Sequence, residues 1–198
     1  MKWILTIIFL LSMLSACTTP VAPVQTLPVK TYSWKVQQAQ LSHLSTWHLS
    51  GKLALRTTQT GGSAAFDWQQ LGANYHINLS GPLGIGAMQL DGRPNQVTLL
   101  ANNGQRYSAT SPEILLKQHS GWDLPISNLR FWIRGLPVKN LPAKYQFDAR
   151  GQLIGLQQQD WHLQFSNYRT RGAYILPGKI QISSPYLTLK IVIYEWKV

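Results

Sequence analysis

One cysteine, seven carboxylates and five histidines are all that this 198-residue chain offers for catalysis or metal binding. A lone cysteine, Cys17, excludes an internal disulfide framework and any cysteine-rich zinc or iron–sulfur site. His43, His48, His76, His119 and His162 are scattered, with no HExxH motif and no other ligand spacing. No GxSxG elbow occurs, and the Gly81–Gly86 segment lacks both the lysine and the strand-to-helix context of a phosphate loop. Asp67, Asp91, Glu113, Asp123, Asp148, Asp160 and Glu195 would have to supply any carboxylate pair, and their spacing favours none. These shortages speak against an enzyme and against a metal or other cofactor.

What is plentiful is positive charge and apolar surface. Lys and Arg number 18 against 7 acidic residues, a formal charge of +11, and 44% of residues are hydrophobic. That apolar content rules out a disordered basic tail and, at this length, predicts one domain with a real core. The basic excess points to a negatively charged partner: nucleic acid, an anionic membrane or an acidic protein.

The first residues narrow that choice. Lys2 is followed by a short apolar stretch from Trp3 to Leu14, the composition of an export signal and too short for a comfortable membrane span. It ends in Leu14-Ser15-Ala16-Cys17, which resembles the processing box of bacterial lipoproteins. The alternative is a plain export signal with Cys17 an incidental thiol, but the only cysteine stands where the box requires one. The expectation is a signal peptide over 1–16, lipid attached to Cys17, and a proline-containing tether over 17–32 leading to a domain over 33–198. Thr18 follows the cysteine, where aspartate commonly retains lipoproteins in the inner membrane. By resemblance to that sorting rule the protein faces the periplasm from the outer membrane, which removes nucleic acid as a partner. Processing would remove one positive side chain, Lys2, so the basic excess belongs to the mature domain.

From Ser33 to Thr46, Trp34, Leu41 and Leu44 predict an amphipathic helix with Ser33 as its cap. The period then changes to two. Trp47-x-Leu49-x-Gly51-x-Leu53-x-Leu55, Ala64-x-Phe66-x-Trp68, and Tyr75-x-Ile77-x-Leu79 each alternate apolar with polar residues, separated by glycine turns. Met88 and Leu90 lead to an expected turn at Asp91-Gly92, and Asn103-Gly104 is a hairpin signal. Two helices interrupt the meander. One is capped by Ser111-Pro112 and stopped by Gly121; the other runs from about Ser127 to Arg134, with Leu129, Trp132 and Ile133 on one face. Strands resume with Tyr145 and Phe147, Leu153, then Trp161, Leu163 and Phe165, and end in a segment whose Val192, Tyr194 and Trp196 predict a strand covered on both faces.

The fold class expected is mainly β with α: about 10–11 antiparallel strands in one curved sheet, and about three helices against it. Such helices leave either a packed core or an apolar cavity, and periodicity does not choose. Tryptophans on the apolar phase favour burial or cavity lining over base stacking. In Gly81-Pro82-Leu83-Gly84-Ile85-Gly86 the leucine either tucks inward or projects as an apolar tip towards a bilayer.

Several strings, in order and spacing, carry a family resemblance: Gly81-Pro82-Leu83-Gly84, Asn103-Gly104-Gln105-Arg106-Tyr107, and Leu129-Arg130-Phe131-Trp132-Ile133-Arg134-Gly135-Leu136-Pro137, supported by the lipobox, Trp68-Gln69-Gln70 and the Gly151–Trp161 region. From Trp34 to Trp196 the chain resembles the LolB family of outer-membrane lipoprotein receptors. The resemblance implies an incomplete antiparallel barrel whose helices close an apolar cavity. It implies acceptance of lipidated client proteins from a soluble periplasmic carrier resembling LolA and their insertion into the inner leaflet of the outer membrane. It also implies a monomer acting without covalent chemistry, nucleotide or metal. Leu83 matches the family's membrane-delivery leucine, and Ile85 shares its loop. On that hypothesis strand phase assigns Trp47, Phe66, Trp68, Tyr75, Ile77, Leu90, Phe147, Trp161, Phe165 and Ile191 to the acyl cavity, and Arg130 and Arg134 to a basic rim facing carrier or phospholipid headgroups. Two other readings stay open: a structural or lipid-binding outer-membrane lipoprotein with a filled core, and an envelope lipid- or glycan-modifying enzyme with converging polar residues.

Overall fold

Period-two alternation forces each strand to bury one face, and the chain satisfies this with a single sheet that bends around its own apolar side. A computed structural model describes residues 31–81 and 86–198. The leader, Cys17, most of the tether, Leu83 and Ile85 lie outside the described residues. Tyr32, expected in the tether, donates its backbone N–H to the Arg150 carbonyl at 2.7 Å.

The chain enters with helix α1 (Trp34–His43) and runs through a meander of β1 (Thr46–Thr57), β2 (Gly61–Leu71), β3 (Asn74–Ser80), β4 (Met88–Arg93), β5 (Gln96–Ala101) and β6 (Arg106–Ala109). Helices α2 (Pro112–Ser120) and α3 (Ile126–Trp132) follow, then β7 (Lys144–Phe147), β8 (Leu153–Gln158) and β9 (Trp161–Ser166). A small hairpin, β10 (Arg169–Arg171) with β11 (Tyr174–Leu176), precedes β12 (Lys179–Ser184) and β13 (Leu187–Lys197). Eleven strands form one antiparallel sheet in the order β6-β5-β4-β3-β2-β1-β13-β12-β9-β8-β7, so β6 and β7 are free edges and the barrel is incomplete. Pairing of β1 with β13 joins the first and last strands in the middle of the sheet.

Across the sheet the register lines up apolar partners: Phe66 with Leu79, Trp68 with Ile77, Ile77 with Leu90, Leu90 with Leu99, and Leu53 with Ile191. This inner face forms one continuous core with Leu115 and Leu116 of α2 and with Leu129, Trp132 and Ile133 around α3. Helix α2 packs on β5 and β6 at one edge. Helix α1 lies towards the other, where Trp34 meets Tyr145 and Phe147 at 5.8 and 6.0 Å.

Three local expectations change. Asp91-Gly92 is not a turn: both residues lie within β4, Asp91 pairs with His76 at 2.5 Å, and the chain reverses at Pro94-Asn95, with Asn95 at φ 59°. Ser33 precedes α1 in an extended conformation, but its side chain makes no cap bond. Ser111 does cap α2, its hydroxyl accepting from the Ile114 N–H at 3.4 Å.

The third concerns β13. Val192 and Tyr194 face solvent, so the strand is covered on one side only. A bulge between Ser50 and Gly51 inserts Tyr194 as the extra residue and reverses the phase, so Trp196 turns inward and its Nε1–H donates to the Pro177 carbonyl at 3.0 Å. Gly51 is what permits this close approach: a Cβ there would lie 2.1 Å from the Val192 carbonyl oxygen. Gly51→Ala is therefore expected to destabilise the domain by about 1–3 kcal/mol through overpacking. Gly62→Ala, where a Cβ meets nothing within 4 Å, is expected to be neutral or slightly stabilising. Urea denaturation of the two variants checks both.

Candidate functional site: an apolar cavity under the helices

Between the inner face of the sheet and the segment running from α2 through α3 lies a cavity of about 50 Å³ lined by aliphatic and aromatic side chains. The sheet contributes Leu53, Leu55, Phe66, Trp68, Ile77, Leu79, Leu90, Leu189 and Ile191; the covering segment contributes Leu116, Trp122, Leu124, Ile126, Leu129 and Ile133. An apolar space of ~150 Å³ takes one benzene. As it stands, this cavity is a seam between sheet and cover, too narrow for an acyl chain.

Of the residues assigned by strand phase, Phe66, Trp68, Ile77, Leu90 and Ile191 line the seam. Trp47 is buried beyond its end, packed on Trp68 at 5.3 Å and on Trp196 at 5.6 Å. Phe165 is buried on β9 opposite Ile180, outside the cavity lining. Trp161 is half-buried against Trp132 at 5.7 Å and borders an open polar recess with Thr57–Thr60. Tyr75 is half-buried one inward position beyond Ile77, and its ring lies so close over Gly92 that a Cβ there would overlap it, at 2.0 Å.

Phe147 is a correction. It is 40% exposed on the edge strand β7, every residue of which is exposed. It shares the inward phase with Tyr145, but no strand lies beyond β7, and its ring, packed on those of Trp34 and Tyr145, stays partly open to solvent. Strand phase identifies a face and does not identify an edge.

Arg134 is a second correction. It is not a rim cation: only 7% of it is exposed. Its Nη1 donates to the carbonyls of Leu41 and Leu44 at 3.0 and 2.5 Å, and its Nε to the Arg130 carbonyl at 3.0 Å. A guanidinium thus satisfies the carbonyl end of α1, where a helix concentrates negative potential. Burial, with the like charge of Arg130, lowers its pKa to about 10, which leaves it charged at neutral pH. Arg130 is half-buried with its guanidinium 4.7 Å from the centre of the Phe131 ring. Together the two arginines border a cleft of about 260 Å³ with Trp47 and Gln70.

Sequence reasoning did not place the covering half of the seam. The shared face of Leu129 and Ile133 was visible in the helical spacing, but Trp122, Leu124 and Ile126 sit in or next to an irregular segment with no period. That segment is positioned by hydrogen bonds. Ser127 N–H donates to Glu113 Oε1 at 2.8 Å, Trp122 N–H to the Leu116 carbonyl at 3.4 Å, and Ile126 N–H to the Leu124 carbonyl at 2.9 Å. Among the described residues no group of three or more His, Cys, Asp or Glu is placed to hold a metal, and no helix is long and apolar enough to cross a membrane.

Two solved structures share the architecture at identities too low to speak of more than fold. A LolA-superfamily protein from Nitrosomonas europaea aligns with TM-score 0.52 and 6% identity over 79% of this chain and 87% of that one. A DUF1329-family protein from Desulfovibrio piger gives 0.54 and 8% over 82% and 89%. Sequence relatives are much nearer. A protein named outer-membrane lipoprotein LolB from Coxiella burnetii (strain RSA 493 / Nine Mile phase I) is 40% identical over 188 residues, 93% of this chain and 88% of that one. One of the same name from Pseudomonas fluorescens is 39% identical over 163 residues, 82% and 80% of the two chains. The family model described as outer membrane lipoprotein LolB matches residues 45–196, nearly the whole sheet with its covering helices, and the chain belongs to that LolB family.

Proposed function

We propose that the seam between sheet and helices is the site where this LolB-family receptor takes up the acyl chains of lipoproteins on their way into the outer membrane. The observation that carries the proposal is the lining: fifteen side chains converge on the seam, none of them is charged, and the only polar atoms they bring are the indole nitrogens of Trp68 and Trp122, the first of which donates to Gln70 Oε1 at 3.0 Å. An enzyme acting on lipids or glycans needs polar groups converging on its cleft, so this lining supports a site for binding and release. Uptake separates α3 and the Trp122–Ile126 segment from the sheet, and the acyl chains then replace contacts the two halves make with each other. The driving force is burial of hydrocarbon, worth about 0.8 kcal/mol per methylene. Release follows when the bilayer buries the same surface at least as well.

The remaining assignments join this reading. Cys17 carries the lipid anchor, a soluble carrier resembling LolA supplies the client, and Leu83 with Ile85 meets the bilayer at delivery. The test is transfer of a lipidated client from its carrier to this protein and then to liposomes. The expected result is stoichiometric acceptance followed by delivery; failure to accept the client overturns the proposal. Leu83→Glu, which introduces a charge at the tip, is expected to accept normally and to lose at least about tenfold in delivery, the scale of one leucine's burial. Unchanged delivery removes the tip assignment.

A further inference from the structure

We propose that Tyr75 and Arg130 form a polar head to the acyl site, two hydrogen-bond donors that receive the carbonyl or carboxylate oxygen at the end of an acyl chain. The inference rests on the acyl-binding reading above and adds a defined chemistry at one end of it.

Among the described residues, three buried side-chain polar atoms have no hydrogen-bond partner: Tyr75 Oη, Arg130 Nε and Gln37 Nε2. Gln37 belongs to α1, and its Oε1 accepts from Gln152 Nε2 at 3.3 Å. The other two flank one end of the seam. Tyr75 is the next inward position on β3 after Ile77, which lines the seam. Arg130 follows Leu129, which lines the seam from above, and it borders a cleft with Gln70. Gln70 is the cross-strand partner of Tyr75, so the cleft with the guanidinium opens beside the phenol.

The electrostatics agree with that placement. Burial raises the Tyr75 pKa and the negative charge of Glu113 raises it further, while the positive charge of Arg130 opposes both. Tyr75 therefore remains a neutral O–H donor, held beside a cation.

Neither donor is free to look elsewhere. The Tyr75 ring occupies the space a side chain at Gly92 would fill and meets Trp68 edge-on at 6.5 Å. The Arg130 guanidinium stands over the Phe131 ring. Buried donors without acceptors are costly, and native structures keep few of them. Two at one end of an otherwise apolar seam mark where an acceptor arrives with the ligand. Esters, amides and free carboxylates of fatty acids carry such an oxygen at the first carbon of the chain, and a pure hydrocarbon carries none. Glu113 is no substitute: its Oε1 is engaged by the Ser127 N–H, and its charge leaves the site suited to a neutral carbonyl or a single carboxylate.

The decisive variant is Tyr75→Phe, which removes one oxygen and keeps the ring. Binding is measured on chain 17–198 with Cys17→Ala, so that neither a lipid anchor nor detergent competes, using three probes: diphenylhexatriene, which has no oxygen; a triacylated cysteinyl lipopeptide; and palmitate. The expected result is unchanged affinity for diphenylhexatriene, affinity about five- to tenfold weaker for the lipopeptide, and an unfolding midpoint equal to or above that of the parent, because an unpaired hydroxyl has been removed. Arg130→Met is expected to show the same split between probes. A loss shared by lipopeptide and palmitate identifies the acyl oxygen in general; a loss confined to one identifies its source as ester or as carboxylate. Equal affinity of Tyr75→Phe for all three probes, or equal weakening of all three, overturns the polar head and leaves the acyl site intact. No binding of any probe to the parent chain overturns the acyl site itself.

Discussion

Trp132→Ala is expected to lower the unfolding free energy by about 3–5 kcal/mol, the range for deleting a large buried aromatic. Trp132 has no exposed surface, and its ring rests against Trp161. Its Nε1–H donates to Gln158 Oε1 at 2.9 Å, and that oxygen also accepts from the Val138 N–H at 2.8 Å. The Gln158 amide donates in turn to the carbonyls of Val138 and Leu141, so one buried glutamine joins the end of α3, the following loop and β8. Alanine leaves a cavity at this junction and removes one of its bonds together with the wedge that holds α3 against the sheet. Trp132→Phe keeps most of the volume and loses only the indole donor, while Gln158 retains the Val138 bond; its expected cost is about 1–2 kcal/mol. Urea denaturation of both variants separates packing from hydrogen bonding. A cost below about 1 kcal/mol for the alanine variant would show that α3 is not anchored here.

The two halves of the site differed in how far sequence alone exposed them. Residues on long, regular strands declare their face by alternation, and Phe66, Trp68, Ile77, Leu90 and Ile191 all reach the seam. Leu53 and Leu79, their partners in register, and Leu189, two residues before Ile191, follow the same alternation and line the seam as well. Alternation fails where the strand itself is irregular. Trp196 changes face because of one extra residue at the bulge, and nothing in the Leu187–Lys197 sequence marks that insertion. It is also silent about neighbours, which is why Phe147 has the phase of a buried residue and the exposure of an edge.

Arg134 shows a different limit. A lone arginine is ordinarily read as a surface charge. Only the end of α1, some ninety residues earlier in the chain, supplies the carbonyls that make its burial tolerable. The same holds for Tyr75: its phase was legible, while its fixed hydroxyl depends on a glycine of the adjacent strand. Asp91-Gly92 read as a turn because that pair commonly makes one. Here the glycine serves the ring across the ladder.

Leu129→Ala is expected to weaken the fold and strengthen acyl binding at once. The closed seam holds about 50 Å³, so an acyl chain enters only when the cover separates from the sheet, and the closed packing competes directly with the ligand. Leu129 is buried and lines the seam from α3, where alanine keeps the helix. Truncation removes contacts that exist only when the seam is closed, at a cost to that state of about 2.7 kcal/mol or more. The open, ligand-competent state loses little, so its population rises by up to about a hundredfold. The bound chain also forfeits its own contact with Leu129, which offsets about 1 kcal/mol and leaves a net gain in affinity of about tenfold. The midpoint of thermal unfolding is expected to fall by about 5–10 °C. Calorimetric unfolding, together with titration by the lipopeptide, reads the two effects on one protein. Opposite signs are the mark of a lid whose packing is set against its cargo. If affinity falls along with stability, the seam is an ordinary core and acyl chains bind elsewhere on the molecule.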